Sequence, residues 1–312
     1  MDRQVLWANV DNIARTKAYE QFGKRQPEIR WARLAGIVSR NAGWNLTDLT
    51  TSAFQTVLPY PTRQKIAWIY ERANWLIFRD AYPQLLCYQH YKTTGVWDWS
   101  NVKPYGVSIF MYNEWRRFLE EKDEWRLMIA LIINEQMMIE QQLFKSPEVK
   151  LFFKSALYKM EELLHFSYVL FPHWPLTNQI RYGEVVQHFA QPKKRIQLGV
   201  NLAHLLYDPD LHYCFLQFME EVEPTGSRKD YDKSEKSLPL RVVYPRISHK
   251  PIIAVDWYEQ YDKDEIEKLF QPLKEYQPKK INVVLAKAEL ACLEWFGKKS
   301  HRNPFIHKNS LQ

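Results

Sequence analysis

Glu135 is the residue of this chain that most invites chemistry. In the segment 123–145, Met128, Ile132, Glu135, Ile139 and Leu143 recur at helical intervals, and Glu135 alone in that stripe is ionisable. A carboxylate on an apolar helix face needs a partner or takes up a proton, because unpaired burial disfavours the charged form. Asn134 adjoins it. The segment 62–92 is interrupted in the same manner: Ile66, Tyr70, Asn74, Ile77 and Ala81 share a face, with Asn74 its polar exception and Arg72 and Asp80 close by. Two readings stand side by side. Buried Asn and Glu serve as staples that fix helix register, or they line a polar pocket in which Glu135 acts as a base or ligand contact. The expectation is an ionised Glu135 paired with an arginine. Arg40, which precedes Asn41, is one candidate, and Arg72 and Arg228 are the others.

A second set of groups lies in the loop 224–231, Pro-Thr-Gly-Ser-Arg-Lys-Asp-Tyr. Gly226 opens backbone conformations closed to other residues, Thr225 and Ser227 offer hydroxyls, and Arg228 offers a two-pronged fork. That combination suits a phosphate or a carboxylate. It equally suits an ordinary turn whose Arg228 pairs with an acid of the body.

Other catalytic patterns are thin. Glu162 and His165 have the Glu-x-x-His spacing of di-metal helical bundles, but such a centre uses two copies and Glu184-x-x-x-His188 has the wrong spacing. No His-x-x-x-His pair, Gly-x-Gly-x-x-Gly, phosphate-binding Gly-x-x-x-x-Gly-Lys or Gly-x-Ser-x-Gly occurs. No metal and no cofactor is expected. Trp68, Trp75, Trp97, Trp99, Trp115 and Trp125 sit mostly beside aliphatic residues, which favours core packing over base stacking.

These groups must be held by helices. Helical periodicity predicts elements near 3–21, 27–40, 62–92, 105–121, 123–145, 147–170, 176–190, 193–207, 209–222, 263–270 and 279–297, and Asn45-Leu46-Thr47-Asp48 reads as the cap of a short helix. Pro27 suits a first turn, Asn41-Ala42-Gly43 suits a stop, and Pro83 predicts a kink near Asp80. Only 240–244 reads as β-like. With 46% hydrophobic and 15% aromatic residues and only nine glycines, the chain fits an all-α body of roughly ten helices around a shared core. The expected organisation over 1–312 is a single unit: a helical body 1–223, an irregular basic arm 224–262, closing helices 263–297 and a basic tail 298–312.

The net charge of +7 is local. Arg228, Lys229, Lys233, Lys236, Arg241, Arg246 and Lys250 crowd the arm, and Lys298, Lys299, Arg302 and Lys308 the tail. Such clusters attract phosphate, carboxylate, nucleic acid or anionic lipid, and they also occur as solvated loops. The longest wholly apolar run, 127–133, is too short to span a membrane. The first residues lack the pattern of a signal peptide, and the cysteines Cys87, Cys214 and Cys292 form no Cys-x-x-Cys; both point to a cytoplasmic chain.

Several stretches carry a resemblance. Residues 39–45 (Ser-Arg-Asn-Ala-Gly-Trp-Asn), 71–78 (Glu-Arg-Ala-Asn-Trp-Leu-Ile-Phe), 80–85 (Asp-Ala-Tyr-Pro-Gln-Leu), 131–136 (Leu-Ile-Ile-Asn-Glu-Gln) and 225–231 (Thr-Gly-Ser-Arg-Lys-Asp-Tyr) resemble the YppC-like domain-of-unknown-function family (DUF2515) of Bacillus-type bacteria. The likeness extends over nearly the whole chain. It implies a bacterial cytoplasmic protein and one continuous unit, and it transfers no catalytic residue.

Three functions follow as expectations. The first is binding, with or without turnover, of a small anionic or phosphorylated ligand by Arg40, Asn41, Arg72, Asn74, Asp80, Asn134, Glu135, Thr225, Ser227 and Arg228. The second is a non-catalytic interaction or scaffold protein. The third is peripheral attachment to nucleic acid or an anionic membrane surface through the basic segments.

Overall fold

Side-chain caps set several helix starts. Asp11 accepts the Ala14 N–H at 2.8 Å, Ser108 accepts that of Met111 at 3.3 Å, and Asp123 accepts that of Arg126 at 2.8 Å. The computed structural model describes residues 1–154, 168–176, 181–186, 190–235, 237–251, 255–271 and 276–281. In chain order the helices are α1 (Asp2–Ala8), α2 (Asn12–Arg25), α3 (Arg30–Asp48), α4 (Ser52–Val57), α5 (Tyr60–Thr94), α6 (Ile109–Glu121), α7 (Glu124–Ile139) and α8 (Pro147–Lys154). After strands β1 (Tyr168–Pro172) and β2 (Arg181–Val185) come α9 (Pro192–Leu206), α10 (His212–Glu221), α11 (Leu240–Val243) and α12 (Lys263–Glu267), then β3 (Lys280–Ile281).

The all-α expectation holds for the body, to which a small antiparallel sheet in the order β1-β2-β3 is added. Its register pairs Leu170 with Gly183 and Arg181 with Ile281. The expected helices 147–170 and 176–190 are therefore corrected: β1 and β2 occupy part of each. The run 240–244 is corrected the other way, to the short helix α11. The expected helix 3–21 is two helices, because the Asp11 cap starts a new one. The expected stop at Asn41-Ala42-Gly43 lies inside α3. Gly43 serves close approach instead: a Cβ there would lie 3.0 Å from Gly226 Cα and 2.6 Å from Asn12 Oδ1. Helix α5 continues through Pro83 and ends at Gly95, which adopts φ 73° and returns its N–H to Tyr91 O at 2.8 Å. Glu162, His165, Cys292, most of the expected helix 279–297 and the tail 298–312 lie outside the described residues.

The run 127–133 forms the centre. Every residue from Leu127 to Asn134 is buried, as befits a helix that is apolar all round. Helices α3, α5, α6 and α9 pack around α7. The arm is tied to this body by charge. Arg228 pairs with Asp48 of α3, and Arg241 and Arg246 both reach Asp11, at 2.9 and 3.2 Å. Among the described residues, no helix is long and apolar enough to cross a membrane.

Candidate functional site

The packing of α2, α3, α5, α7 and α9, closed on one side by β1, leaves a cavity of about 180 Å³. Its wall is mostly apolar. Tyr19 comes from α2, Trp31 and Leu34 from α3, Tyr70 and Ile77 from α5, Ile132 from α7, and Leu198 and Leu202 from α9. Gly199 lets α9 close on α7, since a Cβ there would sit 2.7 Å from Ile132 Cγ2.

Glu135 stands in this wall. Neighbouring atoms cover it only partly, and the uncovered part faces the cavity at depth rather than bulk water. Burial pushes its carboxyl up to about 8, and the negative Asp80 nearby acts in the same direction; hydrogen bonds from Gln136 and Trp31 offset only part of this. The Gln136 amide donates to Glu135 Oε1 at 2.9 Å. Its own oxygen accepts from Arg195 Nε at 2.9 Å, and Arg195 Nη2 donates to Glu140 at 2.8 Å. A relay thus runs Glu140–Arg195–Gln136–Glu135.

The backbone arranges that relay. Following α7, residues Glu140–Phe144 form a π-helical turn in which the Lys145 N–H bonds Glu140 O at 2.9 Å. The wider turn sets Glu140 against Arg195 and lays the Phe144 ring 4.3 Å below the Arg195 guanidinium. On the opposite wall, Arg15 donates to both Glu71 oxygens at 2.7 Å and to Asn9 at 3.2 Å. Each cation of the wall therefore has its own carboxylate.

The expected Glu135–arginine pair is corrected. Arg40 is held by Glu20 and by Met219 O at 2.8 Å. Arg72 lies over the Trp75 ring at 4.8 Å. Arg228 pairs with buried Asp48 at 2.6 Å and lies over Trp44 at 4.3 Å. Glu135 has no ion-pair partner among the described residues, so burial favours its neutral form instead of the expected ionised one.

The remaining sequence-derived residues divide. Asn74 and Asn41 line the cavity with Glu135. Asn41 is chiefly a staple: its amide accepts the Leu170 N–H at 2.7 Å and donates to Leu170 O at 3.0 Å, so α3 supplies the edge pairing of β1. Asp80 and Asn134 belong to a separate buried network. Asn134 Nδ2 donates to Asp80 at 2.6 Å, while Asn134 Oδ1 accepts from Ser108 at 2.7 Å and from Trp257 at 2.9 Å. Gln84 donates to Asp80 at 2.8 Å and accepts from Trp115 at 2.8 Å. Burial pushes Asp80 up to about 7, against these donors and Arg79.

Thr225 and Ser227 do not line the cavity, and their side-chain donors are taken. Asp230 accepts the Thr225 N–H at 2.8 Å, its hydroxyl at 2.6 Å and the Gly226 N–H at 3.1 Å. Ser227 Oγ meets Ser237 O at 2.9 Å. The anion that this loop was shaped to hold is its own Asp230.

Sequence reasoning missed Arg15, Tyr19, Trp31, Gln136 and Arg195. A signal existed for two of them. Arg195, Leu198 and Leu202 repeat at helical spacing, as do Arg15, Tyr19 and Phe22, so each arginine interrupts an apolar stripe just as Glu135 does.

A family model described as "Protein of unknown function (DUF2515)" matches residues 8–284. The chain belongs to this family. Over 265 residues it is 42% identical to the "Uncharacterized protein YppC" of Bacillus subtilis (strain 168), an alignment that takes in 83% of this chain and 82% of that protein. No solved structure matches the chain. The DUF2515 match takes in the whole cavity, from Arg15 to Leu202.

Proposed function

We propose that this DUF2515 protein binds a small, largely apolar molecule between α2, α3, α5, α7 and α9, with Glu135 as its polar anchor. The observation that carries this is one buried carboxyl, without a counter-ion among the described residues, in a mostly apolar cavity of about 180 Å³ whose arginines are already paired. An engineered apolar cavity of roughly 150 Å³ holds benzene, so the volume suits a ligand of ring size with a short substituent. The expected anionic ligand has less support. Arg40, Arg72 and Arg228 lie elsewhere, and Arg15 and Arg195 already face carboxylates. The arm likewise offers little to nucleic acid, since Arg228, Arg241 and Arg246 are paired internally. A carboxyl poised near neutral pH also suits proton transfer, so turnover belongs to the same proposal. So does a bacterial, cytoplasmic setting, which the Bacillus subtilis relative and the free Cys87 and Cys214 support.

The test is thermal stabilisation by a panel of ring-sized neutral, cationic and anionic compounds. A ligand at 100 times its Kd adds about 2.7 kcal/mol of stability. The shift is expected in the wild type and absent in the cavity-filling Ala35→Leu. No shift with any compound, or equal shifts in both proteins, rejects the proposal.

A further inference from the structure

The charges around the cavity do not balance. Arg15 of α2 is matched by Glu71, and Arg195 of α9 by Glu140. On α5, Asp80 adds negative potential and brings no counter-ion to Glu135. From α3 comes the neutral Trp31, from α2 the phenol of Tyr19, and from α7 itself the amide of Gln136. Ionised Glu135 therefore leaves the region one positive charge short among the described residues. The wall supplies what a cation prefers besides a carboxylate: the aromatic rings of Tyr19, Trp31 and Tyr70. It also supplies the Asn74 amide, which makes no hydrogen bond to the described residues and offers an oxygen to a second N–H.

Resting on the binding reading above, we infer that the ligand is an amine: a compact apolar body whose single ammonium group pairs with Glu135 among the Tyr19, Trp31 and Tyr70 rings. A carboxylate or phosphate of the same size would face Glu135, with Asp80 adding negative potential from the neighbouring network, and would find no unmatched cation among the described residues that line the cavity. A neutral alcohol would fit, but would leave the carboxyl uncompensated once it ionised. Binding of an ammonium ion below the raised titration range of Glu135 must displace its proton, so uptake of the amine is coupled to proton release.

The experiment uses the full chain with benzylamine, benzyl alcohol and benzoate as probes. Isothermal titration calorimetry at pH 7 in two buffers of different ionisation enthalpy counts the protons. Benzylamine is expected to bind at least tenfold more tightly than benzyl alcohol, releasing roughly one proton per molecule bound, with benzoate weakest. Glu135→Gln is expected to lose that preference and the proton release while still taking benzyl alcohol, which also shows that the variant is folded. Benzyl alcohol binding as tightly as benzylamine, or benzylamine binding without proton release, overturns the amine assignment and leaves the cavity-binding reading standing. Failure of all three probes, together with the wider panel, removes both.

Discussion

Asn134 and Glu135 are consecutive in α7, yet Asn134 closes a saturated hydrogen-bond network while Glu135 faces a cavity without a cationic partner among the described residues. Two adjacent polar residues, read together from the sequence as one interruption, do different work. Asn134 joins α5, α6 and the Trp257 segment through both ends of its amide. Replacing it with the near-isosteric leucine removes a donor from Asp80 and the acceptor of Ser108 and Trp257. Asn134→Leu is expected to cost upwards of about 3 kcal/mol in urea denaturation. A loss under about 1 kcal/mol would show that water repairs the network.

Glu135 is expected to make stability fall as pH rises. Its folded carboxyl titrates near 8 and that of Asp80 near 7, both above their ordinary values. The native state therefore binds more protons than the unfolded chain between about pH 4 and 8, and the stability from this source is complete below that window and lost through it. Glu135→Gln should flatten the curve and be more stable than wild type at pH 9. Glu135→Ala, which strands no cation among the described residues, should avoid the loss of about 3–5 kcal/mol that follows a broken buried ion pair. Guanidinium denaturation from pH 5 to 9 checks both; a wild-type stability that rises across this range would contradict the assignment.

The Asp48 carboxyl is likewise held above the ordinary carboxylate range by burial, but here Arg228 stands beside it and offsets part of that rise. Asp48 is buried and Arg228 nearly so. Arg228→Met leaves that carboxylate without its cation, at a cost of about 3–5 kcal/mol. The deficit should shrink in acid, where Asp48 takes up a proton. The double variant Arg228→Met, Asp48→Leu should recover much of it at pH 7. A double variant no better than the single one would mean that the pair matters through packing on Trp44 alone.

Asp11 holds two structures at once. It caps α2 through Ala14 and receives Arg241 and Arg246 of the arm. Asp11→Ala should cost about 1–2 kcal/mol through the cap and should free the arm. Limited tryptic digestion, followed by mass spectrometry, should then show faster cleavage after Arg241 and Arg246 than in wild type. Unchanged cleavage would assign the arm's position to Leu240 packing instead.

What the sequence disclosed follows from what is local. Helix identity rests on near-neighbour periodicity, so the segments of α2, α3, α5, α6, α7, α9 and α10 read as helical, although the break at Asp11 and the true end of α3 do not. The stretch Tyr-Val-Leu-Phe of β1 was not, because four apolar residues in a row are the same pattern for a buried strand and for a buried helix turn. Its partner on one side is the amide of Asn41, which is 129 residues distant from Leu170, and no local rule reaches that far. Glu135 was visible as an interruption, but its relay through Gln136 and Arg195 depends on how α9 docks. Of the two readings of the Thr225 loop, the structure shows the turn whose Arg228 pairs with an acid of the body, Asp48. The acid that the Thr225 and Gly226 donors meet is Asp230 of the same loop, whereas the acid that meets Arg228 is Asp48, 180 residues away.

The π-helical turn after α7 carries a consequence for register. A regular helix advances about 100° per residue, so a stripe read at intervals of three and four stays in phase along its length. Between Glu140 and Lys145 the hydrogen bond spans five residues, not four, and the phase slips. Glu135 and Leu143, members of one stripe on paper, belong to two frames joined end to end. Removing a single residue such as Gln141 would leave every interacting group present in the chain, yet it would swing Phe144 and all that follows away from Arg195. The number of residues in this helix is thus as much a part of the site as their identity, and a length change here would be more disruptive than many replacements.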